Sequence, residues 1–176
     1  MIKRIVDIDN LIKNNKVLIL YGPRQVGKTT LIKEYLKSTR NKYTFKTGDD
    51  LVFSNDLSEC SLDKIKKMVP SNSLFVIDEA QKIQNIGRAL KLIVDNIANI
   101  IVIVTGSSSF DLLNKTGESL TGRKNVQHLY PISLAEIAAD ITLYGMDKCL
   151  PDYLIYGMYP EQLTMTTALE KTEKIT

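Results

Sequence analysis

The eight residues Gly22-Pro23-Arg24-Gln25-Val26-Gly27-Lys28-Thr29 constrain this chain more than any other stretch. They fit G-x-x-x-x-G-K-[ST] and lie between the apolar run Val17-Leu18-Ile19-Leu20-Tyr21 and a segment over 29–37 with Leu31, Ile32, Tyr35 and Leu36 on one helical face. A strand, a glycine turn and a helix in that order form an anion cradle. Gly22 and Gly27 permit close backbone approach, the N–H groups of the turn point inward, and the helix N-terminus adds positive potential. Lys28 adds a full charge for the β- and γ-phosphates of a nucleotide, and the Thr29 hydroxyl can ligate Mg²⁺. The expected phosphate-binding residues are Gly22 to Thr29 with Thr30 beside them.

The rest of the chain repeats the alternation. Leu74-Phe75-Val76-Ile77-Asp78 and Ile100-Ile101-Val102-Ile103-Val104 read as buried strands, and residues 42–46 and 126–129 as weaker ones. Helical spacing is expected over 62–69, stopped by Pro70, and over 86–97, where Ile86, Leu90, Ile93, Val94 and Ile97 form a stripe. Short helices are expected over 109–114 and from Ser133 through Ala139, the second opened by a Ser133–Glu136 capping box. Strands apolar on both faces, alternating with helices, predict an α/β fold with a parallel sheet covered on both sides.

The bulk numbers mainly exclude. A length of 176 residues suits one domain with a sizeable core, with room for a fragment of a second. A net charge of +3 is too small to argue for nucleic acid, and Lys64, Lys66 and Lys67 read as a solvated helix face. Two distant cysteines and the lone His128 are too few for a zinc site. The tyrosines at 144, 153, 156 and 159 read as core or interface anchors. No leader-type segment opens the chain and no apolar run reaches membrane-spanning length, so a cytoplasmic protein is expected.

Three further motifs carry chemistry. Asp78-Glu79 ends a buried strand, a Walker B pattern: Asp78 for Mg²⁺, and Glu79 to polarise the water that attacks the γ-phosphate. Two acids at such a turn would otherwise serve as caps; downstream of the phosphate loop the catalytic reading is preferred. Thr105-Gly106-Ser107-Ser108-Ser109 follows the third strong strand. Thr105 or Ser107 could place the attacking water, or the segment could simply turn and cap. Arg123, in Ser119-Leu120-Thr121-Gly122-Arg123, either stabilises charge on a transferring phosphoryl group from a neighbouring subunit or is an ordinary surface arginine. Arg24 and Arg88 rank lower. No Asn-Lys-x-Asp guanine-reading motif follows the third strand, since Asn114-Lys115-Thr116-Gly117 lacks the aspartate, which favours ATP over GTP.

Taken together, Tyr21 to Leu31, Ile77-Asp-Glu-Ala-Gln-Lys82, Thr105-Gly-Ser-Ser108, Leu120-Thr-Gly-Arg123, Tyr130-Pro-Ile-Ser-Leu-Ala-Glu136 and Tyr156-Gly-Met-Tyr-Pro-Glu161 resemble prokaryotic AAA+-type ATPases. The likeness is to the archaeal ATPase and origin-recognition branch, whose ATPase module precedes a C-terminal domain of unknown function. The resemblance runs from about Ile2 to Glu161. It implies an αβα sandwich with sheet order 5-1-4-3-2. It implies ATP and Mg²⁺ as cofactors, Lys28 and Thr29 at the phosphates, Asp78 on the metal, Glu79 as catalytic base, Thr105 or Ser107 as sensor and Arg123 as an arginine finger. It also implies an adenine pocket drawn from the stretch around Ile5 to Ile8 and the segment near Tyr156 to Pro160.

The expected organisation is a core over 1–140 and the start of an incomplete helical lid or linker over 141–176, with 164–176 a frayed or cut end. The leading functional expectation is a slowly hydrolysing ATPase module that acts as a conformational switch in a larger protein, with ATP and ADP as ligands. A homo-oligomer would supply Arg123 in trans, and the missing C-terminal domain would engage a protein partner. The alternatives are a nucleotide-binding module without turnover as isolated and a small phosphotransferase; the Asp78-Glu79 pair counts against the latter.

Overall fold

The computed structural model describes residues 2–107, 119–138 and 141–165. Five strands form one sheet: β1 (Lys16–Tyr21), β2 (Tyr43–Thr47), β3 (Leu74–Asp78), β4 (Ile101–Gly106) and β5 (Lys124–His128). Their order is β2-β3-β4-β1-β5 and every pairing is parallel. Read from the other edge this is the order 5-1-4-3-2, an α/β fold of the P-loop NTPase type.

The central strands are apolar throughout because both of their faces are covered. Val17, Ile19, Phe75, Ile77, Val102 and Val104 share one cluster with Phe53, Leu57, Ile65, Ile86, Leu90 and Ile93 from the helices. Leu18, Leu20, Leu74, Val76 and Ile103, on the alternate positions, are equally buried on the other face. A short helix α1 (Ile8–Leu11) precedes β1, and helix α2 (Lys28–Ser38) buries Ile32, Tyr35 and Leu36. The same period of two fixes the strand ends. Ile77 lies beside Val104 in the register, so the next residues, Asp78 and Thr105, are neighbours on the opposite face.

Helix α4 (Leu62–Met68) ends just before Pro70, and α5 (Ile86–Asn96) carries the expected stripe. Helix α3 (Leu51–Ser58) was not expected from the spacing; its start is set by Asp50, whose carboxylate caps the N–H groups of Val52 and Phe53. Helix α7 (Leu143–Tyr156) falls in the stretch expected as the start of a helical lid or linker, although the spacing gives it no bounds and Pro151 lies inside it. The helix expected over 109–114 lies outside the described residues, as does most of 164–176.

The chain clusters into two compact units. The larger comprises Asp7–Pro23 and Lys28–Leu129; the smaller comprises Met1–Val6, Arg24–Gly27 and Tyr130–Thr176. The smaller unit is organised around Glu136 on α6 (Leu134–Ala138). Its carboxylate accepts the N–H and hydroxyl of Ser133, so the capping box forms as expected, and also the Ile5 N–H and Arg4 Nε. Arg4 donates in turn to the carbonyls of Val26 and Tyr130. Burial opposes the Glu136 charge, but the N–H bonds from Ser133 and Ile5 and the Arg4 guanidinium outweigh it and hold its carboxyl below the ordinary value.

Candidate phosphate-binding site

Gly22 leaves β1 against the carbonyl of Leu129. A Cβ there would lie 2.2 Å from that oxygen, so only glycine fits. The turn delivers Lys28 as the first residue of α2, nearly fully buried. Its ammonium donates to the carbonyls of Gly22 and Pro23 at 2.8 and 2.6 Å. Burial lowers the Lys28 pKa, and the negative charges of Glu79 and Asp78, in that order, pull it back up. Both carboxylates therefore act on this amine. Arg24, Gln25 and Thr30 are exposed, and Val26 is buried.

One residue later, the Thr29 hydroxyl lies 2.8 and 3.1 Å from the two carboxylate oxygens of Asp78. Asp78 is only 8% exposed. Its second hydroxyl donor is Thr105, whose Oγ1 lies 2.5 Å from Oδ1. Thr105 is wholly buried and also accepts the Glu79 N–H at 2.9 Å. That bond depends on Glu79 taking a left-handed conformation with φ 53° and ψ 40°, which costs a non-glycine residue about 1 kcal/mol. The Glu79 carboxylate accepts from the Gln81 amide at 2.6 Å, and the same amide nitrogen reaches Ser107 Oγ at 3.1 Å.

Thr29, Asp78, Thr105 and Glu79 thus converge at the C-terminal ends of β3 and β4 and the start of α2, with Ser107 joined through Gln81. Arg123 does not join them. It precedes β5, its carbonyl accepts the Val17 N–H, and its guanidinium pairs with Asp95 at 2.6 Å. Tyr21 and His128, at the phosphate-loop end of the same two strands, pair four positions beyond Val17 and Lys124, so His128 is five residues beyond Arg123, about 17 Å of strand away. His128 stacks on Tyr21 with ring centroids 4.6 Å apart.

Two supporting residues escaped the sequence reading. Gln81 lies inside the quoted Asp78-Glu-Ala-Gln stretch, but nothing in its spacing marks it as a partner of Glu79. Gly48 sits under the turn: its N–H donates to the Asp78 carbonyl, and a Cβ would lie 2.4 Å from the Glu79 carbonyl. Thr47-Gly48-Asp49 is a signal for a tight turn, and the packing reason emerges only in three dimensions.

The donor set suits magnesium. Among the described residues Asp78 receives only hydroxyl protons, and a buried carboxylate so placed retains a charge that a cation can neutralise. Hydroxyl and carboxylate oxygens are hard ligands, and Mg²⁺ typically takes one or two from protein and the remainder from phosphates and water. Among the described residues no group of three or more His, Cys, Asp or Glu could hold a metal ion.

These features define a P-loop NTPase of AAA+ type. A family model described as "AAA domain" matches residues 14–138, and the chain belongs to that family. It is similar to uncharacterised proteins of Mycobacterium tuberculosis and Mycobacterium bovis, each 32% identical over 124 residues, covering 70% of this chain and 27% of theirs. An uncharacterised protein of Methanocaldococcus jannaschii is 28% identical over 144 residues, covering 73% of this chain and 29% of that protein. The chain thus spans less than a third of the curated relatives it matches. Among solved structures, a mutant RuvB of Thermotoga maritima superposes with a TM-score of 0.50 at 16% identity, over 70% of this chain and 41% of that one; that likeness concerns the fold. No helix among the described residues is long and apolar enough to cross a membrane.

Proposed function

We propose that this chain binds ATP with Mg²⁺ at the Gly22–Thr29 loop and hydrolyses it slowly, as a switch module within a larger protein. The observation that carries the reading is the pairing of Asp78 with Thr29. A nearly buried carboxylate is held 2.8 Å from the hydroxyl that opens α2, beside a buried lysine whose pKa is already lowered by burial.

Loop N–H groups and Lys28 bind the β- and γ-phosphates, the ammonium exchanging its bonds to Gly22 and Pro23 for phosphate oxygens. Thr29 and Asp78 hold the metal, which, when bound, neutralises charge on the phosphates. Glu79 orients a water and accepts its proton. Thr105 is spent on structure: its hydroxyl gives its proton to Asp78 and receives the Glu79 N–H. Ser107, only part-buried, is the better placed of the two to meet the γ-phosphate.

Arg123 immediately precedes β5, at the end of that strand far from the loop, which supports a role in trans. That distance supports a second reading, a module that binds nucleotide but turns over only when a second copy supplies the arginine. The stretch over 141–165 is then read as part of a lid or linker.

The test is MgATP titration followed by phosphate release. Lys28→Ala is expected to weaken binding by at least about 100-fold, the loss of a desolvated charge contact. Turnover that rises more steeply than protein concentration supports trans catalysis; none at any concentration supports the passive switch; and absence of nucleotide binding contradicts both.

A further inference from the structure

We propose that Gln81 is a positioning residue, which fixes the Glu79 carboxylate and ties it to Ser107. The inference rests on the hydrolytic reading and adds to it a group that sets where the base points.

The chemistry of the amide fixes its orientation. A carboxylate can only accept, so the atom 2.6 Å from Glu79 Oε2 must be the amide nitrogen. That nitrogen carries two protons and has two acceptors, Glu79 Oε2 and Ser107 Oγ. Ser107 accepts in this pair, which leaves its own hydroxyl proton available for a phosphate oxygen. The amide therefore joins the end of β3 to the end of β4 by a charge-assisted bond and a neutral one. Gln81 stands on the 3₁₀ turn Ala80–Lys82 that begins immediately after Glu79. The left-handed backbone of Glu79 and the close approach of Gly48 hold that turn in place. The result is a carboxylate with one oxygen anchored and the other left to accept a proton from water.

A residue that orients the base should change the chemical step and spare binding. Two variants test this: Gln81→Ala, and Gln81→Met, which keeps the length but donates nothing. Steady-state hydrolysis is measured for each, with MgATP affinity by titration and folding by thermal melting. The expected result is a fall in kcat of about tenfold with KM and Kd within about twofold. In a Glu79→Gln background, where the bond partner is altered, Gln81→Ala should cost little more.

An unchanged kcat, a raised kcat, or a full additive loss in the Glu79→Gln background would each overturn the proposal. A raised kcat would mean that the amide holds the base away from the water. If both Gln81 variants fail to fold, the residue is structural and the proposal also falls. A wild type that binds MgATP but releases no phosphate removes the hydrolytic reading itself, and the two failures are thereby distinguished.

Discussion

Two buried carboxylates in this molecule sit in opposite circumstances. Glu136, in the smaller unit, is closed: Ser133 supplies an N–H and a hydroxyl, Ile5 an N–H, and Arg4 a guanidinium at 2.9 Å. Asp78, in the larger unit, is open: among the described residues it receives hydroxyls from Thr29 and Thr105 and no bond from a cation. A carboxylate neutralised in place serves as an internal fastening. A carboxylate solvated only by hydroxyls is prepared for a cation that arrives with a ligand. The contrast separates two kinds of buried acid that look alike in a list of burial values.

The open region can be broken most severely through charge delivered to it. If Arg123 acts across subunits, Arg123→Ala should lower turnover by about 10³-fold with nucleotide affinity kept. Mixing Arg123→Ala with Glu79→Gln should restore part of the rate, because one copy offers the arginine and the other an intact base. Phosphate release from the mixture checks this, and a mixture no better than its components would confine Arg123 to its contact with Asp95. Glu79→Gln alone should cost about 10²-fold in kcat with affinity retained.

The closed region should respond in stability. Glu136→Gln leaves Arg4 charged, nearly buried and without its counterion, at a cost of about 3 kcal/mol, read from denaturant unfolding. The pH dependence follows from the lowered Glu136 carboxyl. Its contribution is complete at and above the ordinary glutamate value of 4.5 and is lost as the pH falls below that value through the lowered folded one. Stability of the Glu136→Gln variant should therefore decline less steeply with acidification over that range. Equal slopes would show that Glu136 is not the group responsible.

Much of this contrast is visible in the sequence, though unevenly. Asp78 is legible because a continuous apolar strand ends on it downstream of the phosphate loop. The sheet order follows from the family resemblance, and the strand positions from apolar runs that need cover on both faces. Glu136 is legible only as a local cap, since Ser133 lies three residues before it. Its bonds to Arg4 and Ile5 span more than 130 positions, and no local pattern encodes them. Gln81 and Gly48 are invisible for a similar reason: each matters through an atom of Glu79 reached only after the turn has folded. Helix α7 is expected only as part of a helical lid or linker without bounds, because Pro151 argues against a helix locally while the chain around it remains helical. Arg123 is found by its place before β5, and only the strand register puts it at the far end from the loop.

The most direct test of the central claim is calorimetric titration of the wild-type chain with ATP, with Mg²⁺ and again with a chelator. The account predicts saturable binding with Mg²⁺ and weaker binding without it, because on this reading Asp78 and Thr29 share a cation with the phosphates. It also predicts that Asp78→Asn removes most of the difference between the two conditions. No binding to the wild type, or affinity indifferent to both Mg²⁺ and Asp78, would contradict it.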